Sequence, residues 1–228
     1  MEKKEKIFTE NLKLSKEIFI IGPLFNKRLS ITRKESSFLF IDGGSQFFDY
    51  VQKVFIDSLP FEGPLLFNSL KIGDGDSFKG TLDIKLSINK NYSDLAYGLQ
   101  LIKPFLEKVS LLGFLGGRKD HELFNLGEIH KVLLSPLVQQ SSVFYLDKSF
   151  ICFPPGAHNT NIEGTFSLFV LEKAKVTITG SVKFPLLNPT TIDPLSSFCI
   201  SNICHGEVVI QSDKPIFLYL PTEKGLNE

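Results

Sequence analysis

The chain has 228 residues, enough for one large domain or two small ones with a real buried core. Its 25 basic and 25 acidic residues cancel, which argues against a general binder of nucleic acid or anionic membrane, since both need a basic excess. No apolar run approaches the ~20 residues that span a bilayer, and the charged start Met1-Glu2-Lys3-Lys4-Glu5-Lys6 lacks a secretory apolar stretch, so the chain reads as soluble and cytoplasmic.

In chain order, Ile18-Phe19-Ile20-Ile21-Gly22 is a short apolar run ending in Gly-Pro, and Phe38-Leu39-Phe40-Ile41 is another, ending at Asp42-Gly43-Gly44. Continuous runs of this kind fit central strands buried on both faces. From Gln46 to Ile56 the apolar residues Phe47, Phe48, Val51, Val54 and Phe55 recur at helical spacing. Leu65-Leu66-Phe67 reads as a strand, with polar Asn68-Ser69 after it. Asp94 to Lys108 is the clearest helix, with Ser93 as N-cap and Leu95, Leu99, Ile102 and Leu106 on one stripe; Pro104 falls inside it and predicts a kink or an early end. Val109 to Phe114 follows as a strand. The Gly116-Gly117 pair then opens a helix around Asp120 to Leu134, with Leu123, Leu126 and Val132-Leu133 inward.

After Ser135 the texture changes to short alternating runs separated by turns: Val143 to Leu146, Ser149 to Phe153, Phe166 to Val170, Lys175 to Thr179, Val208 to Ile210 and Ile216 to Tyr219. This is an all-β pattern of the sandwich type. The expected organisation is therefore a parallel α/β domain over residues 1–139 and a β-sandwich domain over residues 140–228. The three cysteines, Cys152, Cys199 and Cys204, form no CxxC pair and fit reduced thiols. The 22 Phe, in a chain without Trp, read mostly as core packing.

Ligands of a parallel α/β sheet sit beyond the carboxyl ends of its strands. Asp42, Asp74, Asp76 and Asp94 all fall in loops that can meet there. Asp74-Gly75-Asp76 is either an ordinary Asp-Gly turn with solvated carboxylates or a Mg²⁺ site, because carboxylate oxygens suit that ion and the glycine lets backbone approach closely. Gly116-Gly117, between a strand and a helix, can hold phosphate oxygens on backbone N–H groups, and Arg118 adds a forked cationic contact. Asp120 can cap that helix or stand near the metal. His121 reads first as a packing or capping residue, and His205 as a surface one.

Taken in order, Asp42-Gly43-Gly44, Gly73 to Ser77, Gly116 to His121 with Leu123 and Asn125, Pro155 to His158, and Ser196 to Asn202 resemble the thiamine pyrophosphokinase family, from about Ile18 to Tyr219. The resemblance implies a Rossmann-like α/β domain followed by a β-sandwich, and a diphosphoryl transfer from ATP to thiamine in the cytoplasm. It further implies Mg²⁺ on Asp74, Asp76 and Asp94, ATP phosphates near Asp42, Gly43, Gly44, Gly116, Gly117 and Arg118, and a catalytic set of Asp74, Asp76, Asp94 and Asp120. Thiamine would lie against Phe184, Ser201 and Asn202, supported by Ser196 and Cys199, in a homodimer that shares its sites between subunits. The chain departs from the family pattern at Gly75, where an aromatic is usual, at Asn91, where an acid is usual, and at Tyr97, where a Lys is usual. Phe184 stands where a Trp or Tyr is common, and can stack on a flat ring or pack in the core. Two other readings stay open at this point: a diphosphotransferase for another heterocyclic alcohol, such as a hydroxymethylpterin, and a homologue that binds thiamine or nucleotide without turnover.

Overall fold

The computed structural model describes residues 3–58, 67–102 and 107–221. Its elements are α1 (Lys3–Leu12), β1 (Glu17–Ile21), β2 (Ser36–Ile41), α2 (Phe48–Ser58), β3 (Asn68–Gly73), β4 (Ile84–Lys85), α3 (Asp94–Leu101), β5 (Lys108–Leu112), α4 (Lys119–Leu133), and the strands β6 (Val143–Leu146), β7 (Phe150–Phe153), β8 (Gly156–Phe169), β9 (Ala174–Val182), β10 (Leu186–Ile192), β11 (Asn202–Ser212) and β12 (Ile216–Tyr219). The chain divides into two compact units, Met1–Ile129 and His130–Glu228. That division falls inside α4, ahead of the expected change at 139–140. Among the described residues no helix is long and apolar enough to cross a membrane.

The first unit is built on a parallel sheet in the order β5-β1-β2-β3-β4. Every residue of β1 and β2 is buried, as the unbroken apolar runs predicted. Alternation then sorts the two faces. Phe19, Ile21, Phe38 and Phe40 join Val51 and Phe55 of α2 in one apolar cluster, where the Phe38 ring lies 5.5 Å from Phe19, 5.4 Å from Phe55 and 4.8 Å from Phe67. The opposite face presents Leu39, Ile41 and Ile72 to α3. A Cβ on Gly98 would stand 2.8 Å from Ile41 Cδ1 and 2.9 Å from Leu39 Cδ2, so the glycine sets how closely α3 approaches.

Several expectations shift by a few residues. Of the strand expected at Leu65-Leu66-Phe67, the first two residues lie outside the described ones, and β3 begins at the polar Asn68. Its amide donates to Ser37 Oγ at 2.7 Å and to the Phe8 carbonyl at 3.3 Å, so both donors of the buried side chain are met. Ser93 caps α3 by accepting from the Ala96 N–H at 3.0 Å, and the helix is described to Leu101; Pro104 and Leu106 lie outside the described residues. The helix expected to start near Gln46 is preceded by a 3-10 turn over Asp42–Phe47. On α4, Leu123 does not face inward: it is 64% exposed, while Ile129, Val132 and Leu133 are buried. Six residues before Ile129 is about 120° around a helix, which turns Leu123 away from the face those three define.

The second unit is an antiparallel ladder in the order β6-β7-β12-β8-β11-β9-β10. β8 is shared along its length: Gly156 to Phe166 pair with β11, and Ser167 to Phe169 pair with β12. Ile151 and Phe153 of β7, Phe166 and Leu168 of β8, Val176 and Ile178 of β9, and Leu218 of β12 belong to one apolar cluster. β11 and β9 meet at a register shift, where Gly180 adopts φ +102° and a Cβ would lie 2.5 Å from the Glu207 carbonyl oxygen; only glycine fits both demands. His158 is buried, stacked on Phe153 at 4.5 Å, and its Nε2–H donates to the Pro154 carbonyl at 2.7 Å. Phe8, Phe38, Phe40, Phe55, Phe166 and Phe217 are fully buried, as core filler should be; Phe124, Phe184 and Phe198 are exposed.

Candidate functional site

Strand order reverses at β1: β2, β3 and β4 follow on one side and β5 returns on the other. Loops leaving β1 and β5 therefore diverge, and a crevice opens beyond the carboxyl ends. A pocket of about 620 Å³ lies there. Pro23 and Leu24 follow β1, Asp42 follows β2, Asp74 and Asp76 follow β3, and Gly113 and Phe114 follow β5; Asp94 enters from the start of α3, with Lys90 just before it.

Asp42 is the organiser of the acidic side. It is buried, with φ +39°, and its two oxygens accept from Gly75 N–H at 3.1 Å and Ser77 N–H at 3.0 Å. The loop after β3 is thus wrapped around one carboxylate. Gly73 is the residue that permits it, since a Cβ there would lie 2.7 Å from Asp42 Oδ1. Gly43 and Gly44 are buried as well; a Cβ on Gly44 would sit 2.0 Å from the Ile21 carbonyl oxygen. Asp76 accepts from the Ser77 hydroxyl at 2.7 Å, which holds its carboxyl below the usual range.

Carboxylate oxygens of Asp42, Asp74 and Asp76 lie within 4.8 Å of one another. Asp94, expected alongside Asp74 and Asp76, is paired differently. The Lys90 ammonium stands 2.7 Å from Asp74 Oδ2 and 2.9 Å from Asp94 Oδ1, and Asp94 Oδ2 accepts from the Asp74 N–H at 3.3 Å. Burial pushes the Asp94 carboxyl up against the opposing pull of Lys90. Burial alone would lower Lys90, but the two carboxylates outweigh it and hold its ammonium above the usual value. Lys90 was not singled out from the sequence; its only local signal is the four-residue spacing to Asp94. Tyr97, at the family's Lys position, points its hydroxyl to Glu5 Oε2 at 3.2 Å, and Asn91 is exposed.

Across the pocket, Gly116 takes φ +93° with open space where a Cβ would be. Its N–H donates to Glu122 Oε1 at 2.8 Å, and Lys119 Nζ is 2.9 Å from the same carboxylate; Lys119 first, then Gly116, hold Glu122 below the usual range. Gly117, Arg118 and His121 line the pocket. Arg118 forks onto Asp120, Nε to Oδ1 at 3.1 Å and a terminal nitrogen to Oδ2 at 2.5 Å. That contact, with the His121 N–H on Oδ1, draws the exposed Asp120 carboxyl down to about 2.

In the second unit, Asn202 is buried and its side chain is committed to backbone: Oδ1 accepts from Phe184 N–H at 3.0 Å and Ile203 N–H at 2.8 Å, and Nδ2 donates to the Phe184 carbonyl at 2.9 Å. The amide thereby presents Phe184, 56% exposed, under the Lys183 ammonium at 5.2 Å from the ring centre. Ser201 is exposed, at φ +56°, with its N–H on Ser167 Oγ at 3.0 Å. Cys199 is buried and Ser196 accepts from Phe198 N–H at 3.2 Å, starting a 3-10 turn.

The chain is a mixed α/β protein with an acidic cleft at the strand ends of one unit and an antiparallel β unit after it. Its fold is that of the thiamine pyrophosphokinases, the family the ordered motifs resemble. The thiamine pyrophosphokinase structure from Bacillus subtilis matches with a TM-score of 0.65 at 20% identity, over 90% of this chain and 99% of that one. The Geobacillus thermodenitrificans thiamin pyrophosphokinase gives 0.66 at 18%, over 92% and 100%, and the Candida albicans one 0.60 at 13%, over 93% and 89%. No family model and no curated protein matches the chain.

Proposed function

We propose that the chain is a thiamine diphosphokinase-like transferase, moving a diphosphoryl group from ATP to the thiamine hydroxyl and releasing AMP. The observation that carries this reading is the convergence of Asp42, Asp74 and Asp76 at the mouth of a strand-end pocket in this fold. Three hard carboxylate donors within 4.8 Å of each other fit Mg²⁺. Asp42, Asp74 and Asp76 would hold it, with Asp94 beside them through Lys90. When bound, the ion neutralises polyphosphate charge and orients its oxygens. Arg118 and the backbone at Gly117 supply positive potential to the phosphates from the opposite wall, while Gly43 and Gly44 act by letting the Asp42 turn close against β1. Asp94, which lines the pocket, accepts the thiamine hydroxyl proton; Asp120 is engaged by Arg118 and serves to aim that guanidinium. The chain's work is alignment and charge neutralisation, the main sources of rate in phosphate transfer.

The finer fold belongs to the same reading: a Rossmann-like unit, then a β unit that closes as a sandwich, supported by the single apolar cluster that β7 and β9 share. The functional boundary is placed at 139–140, after α4, because a continuous helix is a poor linker. Phe184 offers a face to the flat thiamine rings and Ser201 a hydroxyl, with Asn202 as the clamp behind them, in a homodimer whose subunits share sites. Three buried free thiols accord with a cytoplasmic protein.

Incubation with ATP, Mg²⁺ and thiamine, followed by mass spectrometry, is expected to give AMP and thiamine diphosphate in equal amounts. ADP in place of AMP overturns the diphosphoryl transfer. Thiamine binding without product identifies a non-catalytic homologue, and turnover only with a hydroxymethylpterin moves the reading to that acceptor.

A further inference from the structure

Four carboxylates, Asp42, Asp74, Asp76 and Asp94, converge on the pocket, and Lys90 is the cation set among them. Its side chain is 7% exposed and those of Asp74 and Asp94 are 15% and 12% exposed. An ammonium so far out of water is stable only where carboxylates surround it. Lys90 spans Asp74 Oδ2 at 2.7 Å and Asp94 Oδ1 at 2.9 Å. Asp74 is common to both groupings: it belongs to the trio with Asp42 and Asp76 and it pairs with Lys90. Asp74 thus joins two charge groups, the Asp42, Asp74, Asp76 trio and the ion pair that Lys90 makes with Asp74 and Asp94.

We propose that Lys90 is a built-in counter-cation that occupies the Asp74–Asp94 position, so that the site takes one divalent ion rather than two. This rests on the reading of Asp42, Asp74 and Asp76 as the divalent-ion ligands. Two divalent ions sharing a carboxylate are a common arrangement in phosphate chemistry. Here a fixed charge replaces one of them: it adds no ligand exchange and no dependence on free metal, and it still offsets the repulsion between Asp74 and Asp94. Lys90 is on this account a positioning residue. It holds Asp94 in place and determines how many ions the pocket collects.

The test counts Mn²⁺ bound to the full chain without nucleotide, by electron paramagnetic resonance titration. Wild type is expected to bind one ion. Lys90→Met frees Asp74 and Asp94 and is expected to bind two, the first more tightly than wild type does by roughly tenfold, the effect of losing one nearby like charge. Lys90→Arg restores a cation and returns the count to one. If Lys90→Met does not fold, Lys90→Gln, which keeps a donor but no charge, carries the same expectation. One ion with unchanged affinity in the neutral variants overturns this inference and leaves the trio standing; so does a count of two in wild type or in Lys90→Arg. No bound ion in folded wild type overturns the trio itself, and this inference with it.

Discussion

Asp76 and Asp120 are both exposed acids near the pocket, and the proposed function gives them different tasks. Asp76→Asn removes one charge from the trio but no packing, so unfolding free energy should stay within about 0.5 kcal/mol. Turnover should fall by more than the roughly 10–100-fold that loss of a metal's outer-shell partner costs. Normal activity at low Mg²⁺ would make Asp76 an ordinary turn residue. Asp120 is an electrostatic case. Its carboxyl, drawn to about 2 by Arg118 from an ordinary 3.8, is favoured in the folded chain above the ordinary value, and that contribution is lost as pH falls through about 2. A carboxyl-carbon chemical-shift titration should find a midpoint near 2 in wild type and an upward move in Arg118→Gln; an unmoved midpoint would mean the fork does not persist in solution. The acids themselves were legible in the sequence, because an Asp at the end of an apolar run has few other places to be. Lys90 was not, since a lone lysine among polar residues carries no pattern and only the fold brings it between Asp74 and Asp94. Asn202 was legible as important, but its clamp on Phe184 depends on a neighbour eighteen positions away.

At the scale of elements, α3 illustrates how packing positions chemistry. Gly98→Ala improves helix propensity by about 1 kcal/mol, yet its Cβ would press on Ile41 and Leu39 methyls at 2.8 and 2.9 Å, an overpacking that costs about 1–3 kcal/mol. Those methyls can rotate only within a filled core, so the net effect is a loss of up to ~2 kcal/mol and an outward shift of α3, which carries Ser93 and Asp94 with it. Urea unfolding should show the loss and turnover should drop; a stabilised variant would mean that the core has room. Strands β1 and β2 were readable because both-face burial demands unbroken apolar runs. α1 was not, because charges dominate its sequence and its buried apolar face is only Phe8 and Leu12. β10 was hidden by Asn188-Pro189-Thr190-Thr191, polar residues on a strand exposed along most of its length. Leu123 was misassigned because one apolar residue does not fix the phase of a helix; Ile129, Val132 and Leu133 together do.

For the whole molecule, the proposed sharing of sites can be tested by mixing defects. Asp76→Asn inactivates the phosphate side, and Ser201→Lys sets a positive charge against the cationic thiazolium ring. If each site draws on both subunits of a twofold dimer, mixed dimers carry both defects in one site and neither in the other, so activity returns after subunit exchange. An active monomer by light scattering, or no recovery despite proven exchange, would rule the sharing out. The strand order has a consequence for synthesis as well. β1 finds β2 soon after it is made, since Glu17 pairs with Ser36, but its other edge waits for Lys108. At about 5–20 residues per second the ribosome takes on the order of 5–20 s to supply β5. For that interval the backbone edge of Phe19 to Ile21 is open to any passing strand, so a nascent chain stalled before β5 should cross-link to chaperone at that edge, and one stalled after β5 has emerged should not do so there.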